Sequence, residues 1–130
     1  MSDGELRKIF RKHLRGFDVL AVETGSTSGG VPDQNLCKNG IEVWVEGKAC
    51  DHWRITVRPA QVGWAERRLL HGGRVFCAVR RHQTDLFLYH GSMLRRLMFE
   101  RVDAVPHLGH WTDGAANWDW TVIEQILLTS

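Results

Sequence analysis

Two acidic residues and one lysine flank a predicted tight turn. Asp33 lies before the dipeptide Asn39-Gly40, and Glu46 and Lys48 follow it. Asn-Gly is a strong short-range indicator of a two-residue type I′ hairpin turn. Because residues 38 and 41 then flank the turn, the position numbers of paired residues add to 79. We therefore expect Asp33 to lie directly opposite Glu46.

The alternation of side chains along a strand places the second half of this hairpin on two faces. One face takes Glu42, Trp44, Glu46 and Lys48, and the other takes Ile41, Val43, Val45 and Ala49. The second, apolar set is expected to face the core. Asp33, Glu46 and Lys48 are then close together on the opposite face, with directly opposed Cβ atoms about 4.5 to 5.5 Å apart.

A pair of directly opposed carboxylates destabilises a sheet unless something compensates the repulsion. A hard divalent cation such as Mg²⁺ or Mn²⁺ binds carboxylate oxygens and would turn the repulsion into a metal site. The carbonyl of Gly47 is a candidate further ligand, and Lys48 could orient a water or stabilise negative charge on a phosphate. The alternative is a solvated hairpin face on which Asp33, Glu46 and Lys48 form surface ion pairs. The predicted register favours the metal site.

Several further elements are needed to support this hairpin. We predict helices over residues 2–14, from residue 59 to the sequence His71-Gly72-Gly73, over residues 92–102, and at the C-terminus through residues 123–128. A buried strand is predicted over 17–23 and two more over 74–80 and 85–90, with an irregular stretch over 104–117. The order α-β-β-β-α-β-β-α-α predicts a mixed sheet with helices packed against it.

Composition sets limits on the class of protein. The chain has 130 residues, 43% of them hydrophobic, and a formal charge of +2, which predicts a single domain over residues 1–130. No apolar run approaches the roughly 18 residues of a membrane span, so we predict no membrane association and a cytoplasmic protein. Three cysteines predict free thiols rather than a disulfide framework.

Other candidates carry a weaker pattern. Glu23 is a reserve candidate for an acidic residue of the site. The loop 25–30 is expected to be a flexible connector rather than a phosphate-binding loop. The spacing of Cys37, Cys50 and His52 fits no zinc-finger pattern. A turn is expected around His107 and His110. The basic doublets, which together could follow a phosphate backbone, are Arg67-Arg68, Arg80-Arg81 and Arg95-Arg96. Trp111, Trp118 and Trp120 are expected to form a core or dimer-interface cluster.

The segments Gly30-Val-Pro-Asp33, Asn39-Gly40 and Trp44-Val-Glu46-Gly-Lys48 resemble the PD-(D/E)xK nuclease signature. The chain from Glu5 to about His90 is similar to one branch, the stand-alone virus-type replication-repair nuclease (VRR-NUC) domains common in bacteriophages. Part of that resemblance is Gln61, in the sequence Arg58-Pro-Ala-Gln61, near the start of the helix after the hairpin.

The resemblance implies a restriction-endonuclease-like fold and a position for each functional residue. Asp33 and Glu46 would bind Mg²⁺ or Mn²⁺ together with the Gly47 carbonyl, and Lys48 would be the catalytic lysine. Glu5 matches an additional acidic residue of the metal site, but it equally fits the N3 position of a helix-capping box begun by Ser2. Gln61 matches a glutamine near the active centre.

The predicted activity is hydrolysis of phosphodiester bonds in branched or double-stranded DNA. Similarity to Holliday-junction resolvases implies a homodimer that cleaves four-way junctions, in the host cytoplasm if the protein is phage-encoded. The alternatives are a flap or nicking nuclease with the same site, or a non-catalytic DNA-binding module or interaction protein.

Overall fold

The computed structural model describes residues 4–22 and 29–129, which form four α-helices and one six-stranded sheet. The helices are α1 (Gly4–His13), α2 (Pro59–Leu70), α3 (Leu94–Leu97) and α4 (Trp120–Leu128). The strands are β1 (Asp18–Ala21), β2 (Gln34–Lys38), β3 (Ile41–Cys50), β4 (Val75–Arg81), β5 (Asp85–His90) and β6 (Gly109–Trp111). Single 3₁₀ turns cover Gly91–Met93, Val102–Ala104 and Ala115–Asn117.

The sheet is mixed, and its strands follow chain order from β1 to β6. Only β3 and β4 are parallel among the described strand pairs, and α2 makes the crossover that a parallel connection requires. Residues of α1 and α4 pack in one core on one face, and residues of α2 and α3 pack in a second core on the other. The predicted mixed sheet with flanking helices is confirmed.

The hairpin has the predicted turn and register. Asn39 and Gly40 both have positive φ, 53° and 78°, as a type I′ turn requires. Lys38 pairs with Ile41, and the ladder continues in the same register to residues 34 and 45. Asp33 is the residue immediately before β2. The short turn alone therefore determines which side chains share a face.

Both faces of the hairpin are covered. Val43 and Val45 are fully buried in the first core, as predicted. Trp44 packs against the second core, and both Glu46 and Lys48 are only 3% exposed. The solvated-face alternative is therefore wrong, because α2 and its neighbours cover the face that carries the charged residues.

The strand predicted over 17–23 is shorter than expected and only half buried. It spans Asp18–Ala21 as the edge strand β1, where Val19 is buried and Leu20 is 58% exposed. An edge strand with one covered face needs alternating rather than continuous burial. Leu70 is also exposed, at the last residue of α2.

The last third of the chain departs most from prediction. The helix predicted over 92–102 is present but shorter than expected: α3 ends at Leu97, and the Val102 amide donates to the Trp53 carbonyl instead of continuing the helix. The stretch predicted as irregular over 104–117 contains β6, which pairs with β5. Trp118 is buried, and Trp111 and Trp120 pack against the first core, which confirms their role in a core.

The three cysteines are present as thiols. Within residues 4–22 and 29–129, no helix has the length and apolar character needed to cross a membrane.

Candidate active site

The structure brings the predicted carboxylates together. Asp33 and Glu46 line one cleft together. The Gly47 amide donates to Asp33 Oδ1 over 2.8 Å, so the residue next to Glu46 fixes the Asp33 side chain. This bond is available because β2 has ended at residue 34, which leaves the Gly47 amide without a partner on that strand.

Burial raises the pKa of both acids, and the charge of Asp33 adds to the shift at Glu46. Loss of solvation raises the pKa of Asp33, and the amide of Gly47 is the strongest of the groups that oppose this effect. Loss of solvation, followed by the charge of Asp33, raises the pKa of Glu46 to about 7, while Lys48 and Arg58 oppose the shift. Near neutral pH the pair can therefore share a proton, which a bound cation would replace.

Gln61 joins the carboxylate pair to the lysine. Its Nε2 donates to Glu46 Oε1 over 3.1 Å, and its Oε1 accepts from Lys48 Nζ over 3.0 Å. The same oxygen also accepts from the backbone amide of Arg58 over 2.9 Å, which ties the side chain to the first turn of α2. Gln61 is 6% exposed, so these bonds are held away from bulk water. The sequence pointed to Gln61, but the bridge follows from packing α2 on β3.

A cleft of about 220 Å³ opens beside this network. Its lining residues are Gly4, Arg7, Val22, Val31, Asp33, Glu46, Arg58 and Gln61. Neither Arg7 nor Arg58 was predicted from the sequence as a site residue. Arg58 could have been found from its place directly before Pro59 at the start of the helix that carries Gln61. Arg7 carries no comparable local pattern, because only the packing of α1 brings it to Asp33.

Gly30 allows the loop before Asp33 to approach α2. Its φ is +83°, and a Cβ atom there would lie 2.1 Å from the Ala60 carbonyl oxygen and 2.6 Å from the Gln61 amide nitrogen. No side chain fits at this contact. The glycine therefore lets the segment that carries Asp33 lie directly against the helix start that carries Gln61.

The remaining predicted residues have different surroundings. Glu5 is an exposed residue of α1 whose carboxylate lies 3.3 Å from Lys8 Nζ, and its role in a metal site stays a prediction. The Gly47 carbonyl as a ligand also stays a prediction. Glu23, residues 25–28 and the capping residue Ser2 lie outside the described residues. Among the weaker candidates, Cys50 Sγ donates to the His52 carbonyl. His110 was predicted in a turn, but it lies in β6 and stacks on Phe87.

The donor set fits a hard divalent cation. Asp33 and Glu46 supply carboxylate oxygens, the ligand type that Mg²⁺ and Mn²⁺ prefer. The Gly47 amide holds Asp33 Oδ1 and the Gln61 amide holds Glu46 Oε1, so both carboxylates are oriented before a cation binds. No cluster of three or more His, Cys, Asp or Glu suited to a metal occurs within the described residues, so water or backbone oxygens would complete the coordination.

Comparisons with known proteins support the fold. No protein-family model matches the chain, and a search of curated proteins finds no match either. Among solved structures, the chain is similar to Hjc from Archaeoglobus fulgidus, a Holliday junction resolvase from an archaeal hyperthermophile. The identity is 15%, the TM-score is 0.54, and the match covers 68% of this chain and 74% of Hjc. The fold is thus a restriction-endonuclease-like mixed α/β fold.

Proposed function

We propose that this chain is a metal-dependent DNA endonuclease of the PD-(D/E)xK type that hydrolyses phosphodiester bonds in four-way junctions. The observation that carries the proposal is the buried Asp33 and Glu46 pair, linked through Gln61 to Lys48 beside a cleft with two arginines. The similarity of fold to a Holliday junction resolvase supports the choice of branched DNA. The VRR-NUC branch rests on the sequence resemblance.

Asp33 and Glu46 would hold Mg²⁺ or Mn²⁺, and the Gly47 carbonyl and Glu5 are the further candidates for this role. When bound, such a cation polarises a phosphate and lowers the pKa of water. The carboxylates contribute by being fixed in position, since Gly47 and Gln61 each hold one of their oxygens, and a bound cation would keep both acids ionised.

The other residues of the site act on the phosphate and its charge. Lys48 supplies a positive charge close to the carboxylate pair, and Gln61 holds its ammonium group in place. During attack on phosphorus, negative charge develops on the phosphate oxygens, and a preorganised cation stabilises it. Arg7 and Arg58 line the open side of the cleft, where a guanidinium can bind two phosphate oxygens.

A homodimer is part of the proposal. A four-way junction has two strands to cut at symmetric positions, and one chain provides one such cleft. A two-fold dimer would present two clefts to one substrate.

The test compares cleavage of four-way, flap and linear duplex DNA side by side with Mn²⁺ or Mg²⁺. We expect the four-way junction to be cut fastest, and Asp33→Asn and Lys48→Ala each to abolish cleavage while retaining binding. Asp18→Asn, at an exposed position of β1, serves as the matched control and should cut like the wild type. Preferred cutting of the flap would indicate a flap nuclease, and binding without cleavage of any substrate would indicate a non-catalytic module.

A further inference from the structure

The last turns of α2 carry a second group of basic side chains, away from the carboxylate pair. This group, the α2 basic cluster, consists of Arg67, Arg68 and His71 around a cavity of about 290 Å³ that Trp64 also lines. We propose that the α2 basic cluster binds a backbone phosphate of the DNA two or three nucleotides from the phosphate that is cut. The inference rests on the proposed function and adds a separate binding site to it.

Arg68 is held in place before any ligand binds. Its guanidinium carbon lies 4.7 Å from the centre of the Trp64 ring and 5.7 Å from that of Trp44, and the two rings are 5.3 Å apart in an edge-to-face arrangement. Gly73 makes room for it, since a Cβ atom there would lie 2.5 Å from Arg68 Cγ. A guanidinium stacked on aromatic rings keeps its N–H groups in one plane, ready for two phosphate oxygens.

Arg67 and His71 lie one helical turn apart and line the same cavity. Both side chains are exposed, as is that of Arg68. The cavity is thus open to solvent and bordered by two guanidinium groups and an imidazole. These are the donors that proteins use for phosphate oxygens in DNA backbones.

Ion pairing distinguishes this doublet from the Arg95-Arg96 doublet. Arg95 makes a two-pronged ion pair with Glu66, and Arg96 makes another with Glu100. Within the part of the chain that the structure describes, no carboxylate forms a salt bridge with Arg67 or Arg68. Their charge therefore remains available to an external anion.

The α2 basic cluster lies along a continuous line from the carboxylate pair. Trp44 is two residues before Glu46 on the same face of β3, and Trp64 is one turn after Gln61 on α2. Arg68 follows Trp64 by a further turn. With a rise of 1.5 Å per residue, Arg68 is about 10 Å from Gln61 along the helix axis. Phosphates spaced about 3.4 Å apart along the duplex axis reach this distance after two or three nucleotides.

The experiment measures binding of a fluorescent four-way junction in EDTA over a series of salt concentrations. We expect the double variant Arg67→Gln, Arg68→Gln to raise Kd about tenfold and to reduce the slope of log K against log salt by about 1. Arg96→Gln removes one charge from an arginine that is already paired with Glu100, and should change both quantities little. Single-turnover cleavage by Arg96→Gln at saturating protein should also stay within about twofold of the wild type.

A second measurement locates the phosphate. Neutral methylphosphonates are placed one at a time at the four phosphates on either side of the cut. We expect one position, two or three nucleotides away, to weaken binding by wild type but not by Arg68→Gln. Arg67→Gln alone, at an exposed position, provides the same test should the double variant unfold.

The outcomes separate the two proposals. If the wild type cuts DNA but the double variant binds with the affinity and salt slope of Arg96→Gln, the α2 basic cluster is not a phosphate site and the proposed function stands. If the wild type cuts no DNA while its salt-dependent binding needs Arg67 and Arg68, the nuclease proposal fails and the phosphate site remains.

Discussion

At the scale of single residues, Glu46 combines burial with a charged neighbour. It is 3% exposed, faces Asp33, and receives a hydrogen bond from Gln61. A buried acid in this position binds a proton when no cation is present, and this competition has measurable consequences for stability and for metal binding.

We predict that the metal-free protein loses stability as pH rises from about 5 to 8. The pKa of Glu46 is about 7 in the folded chain, against an ordinary value of 4.5. Between these values the folded state binds more protons than the unfolded state, so the free energy of unfolding falls with rising pH, by up to about 3 kcal/mol. Urea unfolding in EDTA at several pH values measures this slope.

The raised pKa of Asp33 acts in the same direction as that of Glu46. Glu46→Gln should flatten the slope, and saturating Mn²⁺ should reverse the loss above neutral pH. An identical slope in wild type and Glu46→Gln would show that the pair does not hold a proton in this range.

Gln61→Glu tests the bridge between acid and lysine. The change preserves side-chain size and an oxygen for Lys48, but it replaces the N–H group that donates to Glu46 with a third negative charge. We expect single-turnover cleavage to fall at least about tenfold, about 1.4 kcal/mol in the activation barrier. Gln125→Glu adds the same charge to an exposed position of α4 and should leave the rate unchanged. Equal cleavage rates for the two variants would show that Gln61 does not position Glu46 and Lys48.

At the scale of elements, the site forms where the start of α2 meets β3 and the segment before β2. Gly30→Ala should disrupt this junction, because the added Cβ would overlap the Ala60 carbonyl at 2.1 Å. Gly114→Ala is the matched control, since Gly114 has a similar φ of +89° but no atom within 4 Å of an added Cβ. Gly30→Ala should lower both the melting temperature and the cleavage rate far more than Gly114→Ala does. Similar losses of melting temperature would assign the effect to backbone strain alone.

Strand β2 also contains a polar side chain in a buried, apolar environment. Gln34 is fully buried beside its strand partners Ala21 and Val45, and neither polar atom of its amide has a hydrogen-bond partner among the described residues. Gln34→Leu should raise the free energy of unfolding by about 1 to 2 kcal/mol, because it removes an unsatisfied group. Urea unfolding gives the value, with Gln125→Leu at the surface as control. Destabilisation would show that the amide has a partner in solution.

At the scale of the whole molecule, the small net charge of +2 gives little general attraction for DNA. The DNA binding that we propose would therefore depend on local groups such as Arg7 and Arg58 in the cleft and the α2 basic cluster. Folding brings Arg7 of α1 and Arg58 at the start of α2, which are far apart in the chain, to one cleft.

We predict that the protein acts on junctions as a dimer. Sedimentation velocity should give twice the chain mass of 14.9 kDa at micromolar concentration. A supercoiled plasmid with a cruciform should be converted directly to linear DNA, because two clefts cut within one complex. A monomer that releases nicked circles would contradict paired cutting and favour a nicking activity.

The sequence by itself determined the hairpin and the meeting of its acids. Asn39-Gly40 specifies a turn of fixed length, and strand alternation then places Asp33, Glu46 and Lys48 on one face. These are short-range rules that need no knowledge of the rest of the chain. Apolar periodicity, which is also a short-range pattern, predicted β4, β5 and α2.

Only the tertiary structure decided how the acids behave and which residues join them. Arg7 reaches Asp33 because α1 packs on the sheet, and the burial that raises the pKa of Glu46 comes from α2 covering the face. β6 was missed because three residues form a strand only when β5 offers a partner. Such contacts join residues far apart in the chain, so no local pattern encodes them; they exist only once the helices have packed.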